Sequence, residues 1–198
     1  MNTERIENIN QLNFDETYSY ADYLNWHFQE RVELIKGKLF NMSPAPSRNH
    51  QQVSIALSAL VWNHFRKEKC QVFEAPFDVR LNRTKRSDSQ SSTVVQPDLC
   101  VICDDDKLDT RGCNGTPDLV VEILSPGNTK REMKEKFEVY EESGVREYWL
   151  VNPHDKNVII YTSQNDHFVG QKPVVCGEDD LVSYIFPDLR IKLEDIFN

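Results

Sequence analysis

The sequence predicts an α/β fold in which helices flank a mixed central β-sheet. Three observations predict it. Val53, Ala56, Leu57, Leu60, Val61 and Phe65 recur at helical spacing, so one long helix turns an apolar stripe to a core. Leu119-Val120-Val121-Glu122-Ile123-Leu124 is a nearly unbroken apolar run, the signature of a strand covered on both faces. The order of elements is helix, hairpin, helix, three β segments, helix and a further β series, which layered helices and sheet explain best. Rossmann and P-loop folds are excluded because no glycine-rich phosphate turn follows a strand.

Taken in order, residues 1–16 read as a polar lead-in to a core at 17–190, all within one domain of 198 residues. Thr17 can cap a short helix running to about Phe28, with Tyr20, Tyr23, Leu24 and Trp26 partly inward. The run ERVELIKGKLFNMSPAP reads as two strands around Lys36-Gly37, closed by a proline-containing turn. The long helix spans 48–68 with Asn49 as cap. QVFEAPFDVRLN is a strand broken at Pro76. Residues 82–93 have the composition of an exposed loop. Strands at 98–103 and 118–124 follow, with an acidic, glycine-containing surface loop at 104–116 between them. A helix from Thr129 ends at Gly144, a good C-terminal cap. REYWLVNP and NVIIYT are β segments, shorter ones lie near 167–176 and 181–186, and LEDIF closes the chain as a short helix.

The net charge is −9, from 32 acidic and 23 basic residues. That acidity argues against a protein that simply coats nucleic acid, because phosphates need lysine and arginine. It is compatible with an enzyme that meets phosphate through a bound cation. No stretch approaches the roughly 18 apolar residues of a membrane helix, and the N-terminus lacks an apolar signal core, so the expected compartment is the cytoplasm. Five cysteines, an odd count, predict reduced thiols. Cys100 and Cys103 form a CxxC, but three residues apart on a strand they point to opposite faces, which disfavours zinc.

Chemistry gathers in VVQPDLCVI and TPDLVVEILSP. Asp98 and Glu122 lie 24 residues apart on strands expected to be neighbours. Glu122 is the anomaly, because an ionised carboxylate inside an apolar run is very costly unless compensated. The compensator is either a basic residue or a hard divalent cation. A cation could take oxygens from Asp98, Glu122 and the Ile123 carbonyl.

The motifs VELIKGKLF, His50-Gln51, QPDLCVI, DLVVEILSPGNT, EKFEVY and GVREYWLVNP together resemble the Uma-type family of "putative restriction endonucleases", within the PD-(D/E)XK nuclease superfamily. The resemblance implies a restriction-endonuclease-like α/β fold and a Mg²⁺-dependent endonuclease acting on DNA, with Mn²⁺ able to substitute. By position it makes Asp98 and Glu122 the metal-binding acids and Glu33 an N-terminal glutamate acting through the metal's water shell. The superfamily's usual lysine position is Leu124 here, so Lys136 on the next helix takes that role. It shares a helical face with Glu132 and Tyr140. His50, Lys130 and Arg131 are expected to meet substrate. A homodimer is also expected, since cutting both strands of a duplex favours a two-fold pair. Two other classes stand beside this one. The first is a non-catalytic nucleic-acid or protein interaction module, motivated by the displaced lysine. The second is a small-phosphoester hydrolase, motivated by the absence of a basic groove.

Overall fold

The computed structural model describes residues 5–42, 46–127 and 129–197. Its elements are α1 (Tyr20–Tyr23), β1 (Val32–Ile35), β2 (Lys38–Asn41), α2 (Arg48–Phe65), β3 (Gln71–Glu74), β4 (Val79–Arg80), β5 (Val94–Val95), β6 (Leu99–Ile102), β7 (Leu108–Asp109), β8 (Gly112–Asn114), β9 (Leu119–Ile123), α3 (Lys130–Ser143), β10 (Glu147–Asn152), β11 (Asn157–Gln164), β12 (His167–Gly170), β13 (Val174–Val175), β14 (Leu181–Val182) and β15 (Arg190–Ile191). The strands do not form one sheet. One sheet runs β2-β1-β5-β4-β8-β7, and a larger one runs β12-β11-β10-β9-β6-β3 with β13 on β11. The larger sheet is mixed, since β9 is parallel to β10 and antiparallel to β6.

Two proline segments explain the division. Pro76 separates β3 in the larger sheet from β4 in the smaller one, and Pro97 separates β5 in the smaller from β6 in the larger. Proline cannot donate to a ladder, so a strand reaching it must stop or bend away. The two crossings lie side by side, with the Ala75 N–H donating to the Asp98 carbonyl at 3.2 Å.

Helix α2 packs Val53, Leu57, Val61 and Phe65 against Leu99, Val101, Leu119, Val121, Trp149 and Val151 of the larger sheet. Helix α3 packs Val139 and Tyr140 on the opposite face, with Ile102, Val120 and Tyr148. Alternation along β6 and β9 thus feeds two cores, which is why both strands read as continuous apolar runs. Thr129 caps the start of α3 and Gly144, at φ 87°, ends it in the left-handed region, as the sequence predicts.

Several sequence expectations need correction. Ser19, not Thr17, caps α1, which is a single turn; Ser47, not Asn49, caps α2. Residues 82–93 are largely exposed, as expected, but are anchored by Asn82 and Ser91, which are buried and hydrogen-bonded to each other, and contain a 3-10 turn at Asp88–Gln90. The segment 104–116 is not all surface loop. It contains β7 and β8, and β8 is buried and parallel to β4. The C-terminal helix is a 3-10 turn, Leu193–Asp195. In the lead-in, Ile9 and Leu12 pack on Val32. The thiols are not all reduced, since Cys70 and Cys103 form a disulfide. The pairing of Gln71 with Ile102 puts the two flanking residues face to face, a register that spacing alone could not reveal. The proline-containing turn after β2 lies largely in residues 43–45, outside the described residues.

Candidate active site

The pairing of β6 with β9 sets Leu99 opposite Val121. One residue further along the same ladder, Asp98 faces Glu122. The Ile123 N–H donates to Asp98 Oδ2 at 2.7 Å. The Ile123 amide thus orients the Asp98 carboxylate. Asp98 Oδ1 lies 3.2 Å from His50 Nε2. His50 stands in the first turn of α2, where its backbone N–H bonds the Ser47 hydroxyl. Its ring is buried, and Nδ1 has no hydrogen-bond partner among the described residues.

Helix α3 reaches the same point from the other side. Lys136 and Tyr140, one turn apart, both donate to Glu122 Oε1, at 3.0 and 2.6 Å. Lys136 Nζ also lies 3.1 Å from Glu33 Oε1, on β1 of the smaller sheet. Glu33 is 2% exposed, so this is an interior pair. Lys136 is buried too, and so does not lie on a solvated helix face. Gln96, between the sheets, ties these groups together. Its N–H donates to Glu33 Oε1 at 2.8 Å, its side chain donates to Asp78 at 2.8 Å, and it accepts from Arg31 at 2.8 Å.

Charge inside this cluster is unbalanced. Three carboxylates, Asp98, Glu122 and Glu33, face one ammonium. Burial pushes the Glu122 carboxyl up to about 7; Lys136 opposes that shift, while Asp98 and Glu33 add to it. For Lys136, burial favours the neutral amine, but Glu122 and Glu33 outweigh it and hold the proton more firmly than usual. Burial, then Glu122, also push the Tyr140 phenol well above its ordinary value, so it stays a donor.

The cluster opens into a cleft of about 250 Å³ whose walls include Arg31, His50, Gln96, Asp98, Glu122 and Lys136. Lys130 and Arg131 do not line it. They border a second concavity with Lys36 and Lys134, and Arg131 stacks over Phe40 and pairs with Glu135. The structure therefore gathers Asp98, Glu122, Glu33, Lys136 and His50, and leaves those two apart. Sequence reasoning did not assign site roles to Arg31, Gln96 or Tyr140. Tyr140 was signalled by its position four residues after Lys136, and Gln96 by its place two residues before Asp98.

Among the described residues, no three His, Cys, Asp or Glu side chains are grouped as a metal-binding set. The donor set is two carboxylates of hard oxygen. This suits Mg²⁺, which commonly takes one or two carboxylates and keeps several waters.

Comparison with known proteins agrees with this architecture. A crystal structure described as a "putative nuclease belonging to DUF820", from Anabaena variabilis, matches with a TM-score of 0.65 at 19% identity. The match covers 91% of this chain and 97% of that one, and shows a restriction-endonuclease-like fold. An "uncharacterized protein slr1290" of Synechocystis is 28% identical over 151 residues, three quarters of each chain. The profile of the Uma2 family, described as "Putative restriction endonuclease", matches residues 20–194, so the chain belongs to the Uma2 family.

Proposed function

We propose that this protein is a metal-dependent endonuclease that hydrolyses DNA phosphodiester bonds. Family membership supports a nuclease-type activity, and one observation carries the finer reading: Asp98 and Glu122 line an open cleft, with Glu33 buried behind them and Lys136 paired with both glutamates. A divalent cation, Mg²⁺ with Mn²⁺ as substitute, is the natural complement to that excess. When bound, it supplies a polarised phosphate and a more acidic water.

The chain's own residues divide the remaining work. Asp98 and Glu122 present oxygens toward the cleft, and the Ile123 amide and Tyr140 hydroxyl fix their orientation. Lys136 supplies positive charge where the scissile phosphate gathers negative charge. Glu33 and Gln96 hold Lys136 and the β1 edge in place. His50, in the cleft wall, braces Asp98 through Nε2.

The test is nicking of supercoiled plasmid with Mg²⁺, with Mn²⁺ and with EDTA. Metal-dependent nicking is expected, and Asp98→Asn or Glu122→Gln should each lower it by about 10²–10³-fold, as for loss of one preorganised electrostatic group. Nicking that continues in EDTA, or that survives both substitutions, rules the reading out.

A further inference from the structure

Helix α2 carries an apolar face that none of the described residues covers. Ile55 is 71% exposed and Trp62 54% exposed, on a helix whose buried face is complete without them. With Ala59 of the helix and Val72 of β3 they wall a groove of about 390 Å³. The groove is continuous with the cleft, since Ile55 and Glu74 border both. Its far end is basic. Arg66 holds its guanidinium 5.8 Å from the Trp62 ring, and Lys67 and Lys69 follow, exposed. Residues 66–69 thus carry three bases and one acid in a chain whose net charge is −9.

We propose that this groove binds a single strand of nucleic acid continuing from the cleft, with a base stacked on Trp62 and phosphates held by Arg66, Lys67 and Lys69. The proposal rests on the nuclease reading for the identity of what lies in the cleft. An exposed indole beside a run of cations is the combination that single-strand sites use, because every base has a stacking face and every linkage an anion. Glu74 at the junction with the cleft repels phosphate, so the backbone follows the Arg66 side and the bases follow the apolar wall.

A second copy of the chain fits this face less well. An isologous pair would set α2 against α2. That helix contains no acidic residue, and Glu74 is the one acid among the described residues lining the groove, so a second copy sets at most that single carboxylate against Arg66, Lys67 and Lys69.

The experiment uses the full chain in EDTA, so that binding is read without cleavage. Fluorescently labelled dT20 and a 20-base-pair duplex are titrated by anisotropy, and intrinsic tryptophan emission is followed in parallel. Trp149 is buried and Trp26 half-buried, so quenching reports chiefly on Trp62. Tighter binding to dT20 than to duplex is expected, with most of the quench lost and affinity lowered about tenfold in Trp62→Ala. Three phosphate contacts predict a slope of log affinity against log salt of about −2, flattening in the Arg66→Gln/Lys67→Gln/Lys69→Gln variant. Glu74→Gln should tighten binding. If dT20 does not bind, or binds equally well to Trp62→Ala, the proposal is wrong. If Trp62→Ala instead shifts a dimer to monomer in light scattering with binding unchanged, the face joins copies of the chain and the proposal is likewise wrong. Failure of plasmid nicking in Mg²⁺ with Trp62-dependent binding intact would refute the nuclease reading and leave the groove standing.

Discussion

Two interior glutamates sit on neighbouring parallel strands and are satisfied in opposite ways. Glu122 on β9 is answered by Lys136 and Tyr140, groups carried on long side chains of a helix, beside an open cleft. Glu147 begins β10 and is fully buried. It accepts from Trp149 Nε1, from the Ser183 hydroxyl at 3.1 Å, and from the backbone N–H groups of Tyr184 and Ile185 at 2.8 and 2.9 Å. Its donors are neutral and mostly fixed by the fold. A carboxylate held that way is saturated and anchors the segment after β14 to the sheet. A carboxylate held by one shared ammonium retains an unmet charge, and that residue of charge is what chemistry can use. Burial of an acid alone does not separate the two; the identity of the partners does.

The largest expected effect comes from removing the shared cation. Lys136→Met leaves Glu33 and Glu122 in the interior without their ammonium and should cost about 3–5 kcal/mol, the usual penalty for breaking an interior ion pair. Urea unfolding measures it. Adding Glu122→Gln in the same chain should restore part of the loss, whereas adding Glu147→Gln should not. Restoration by the latter would erase the distinction between the two acids.

The next effect is stabilisation by a divalent cation. Mg²⁺ or Mn²⁺ at a hundredfold excess over its dissociation constant should add about 2.7 kcal/mol, read as a rise in melting temperature. Asp98→Asn and Glu122→Gln should abolish the rise, and Glu147→Gln should preserve it. A rise that persists in the first two variants would place the ion elsewhere.

Glu147→Gln should itself destabilise by about 2 kcal/mol, because an amide NH₂ would face one or more of the donors that the carboxylate satisfies. Nicking per folded molecule should be unchanged. Lost nicking in a fully folded variant would make Glu147 part of the active site after all.

These two acids also show what could be read from sequence. Glu122 stands out because apolar residues flank it on both sides within one strand, so the chain itself demands a partner for its charge. Asp98 follows as a second acid on a strand expected alongside. Glu147 carries the same burden but lies at a strand start, in GVREYW, where a charged residue looks like an exposed flank. Its partners are amides 37 and 38 residues downstream, and a backbone N–H has no sequence signature. The cysteine bridge was hidden for a related reason: it depends on the register between β3 and β6. Helix α2 was legible from its apolar stripe and α3 from its Gly144 cap, both local signals, although the start of α2 is capped by Ser47 and not Asn49. The division into two sheets was only half legible. Pro76 and Pro97 mark where strands stop, but not which sheet each half joins.

The smallest effect is the pH dependence that Glu147 should confer. Burial holds its carboxyl above the ordinary 4.5, against four hydrogen bonds that favour the ionised form. Between 4.5 and that raised value, the folded chain keeps a proton that the unfolded chain has released. Stability from this group is therefore greatest at low pH and declines as pH rises through the window. Below 4.5 both states are protonated, and above the raised value both are ionised, so the contribution is flat on either side. Glutamine at this position does not titrate. The stability of the native protein minus that of Glu147→Gln should thus fall as pH rises through the window, at a salt concentration high enough to screen surface pairs. A difference that rises with pH instead would mean that the four donors outweigh burial. Glu147 would then be a permanently ionised anchor, distinguished from Glu122 by its state of charge as well as by its partners.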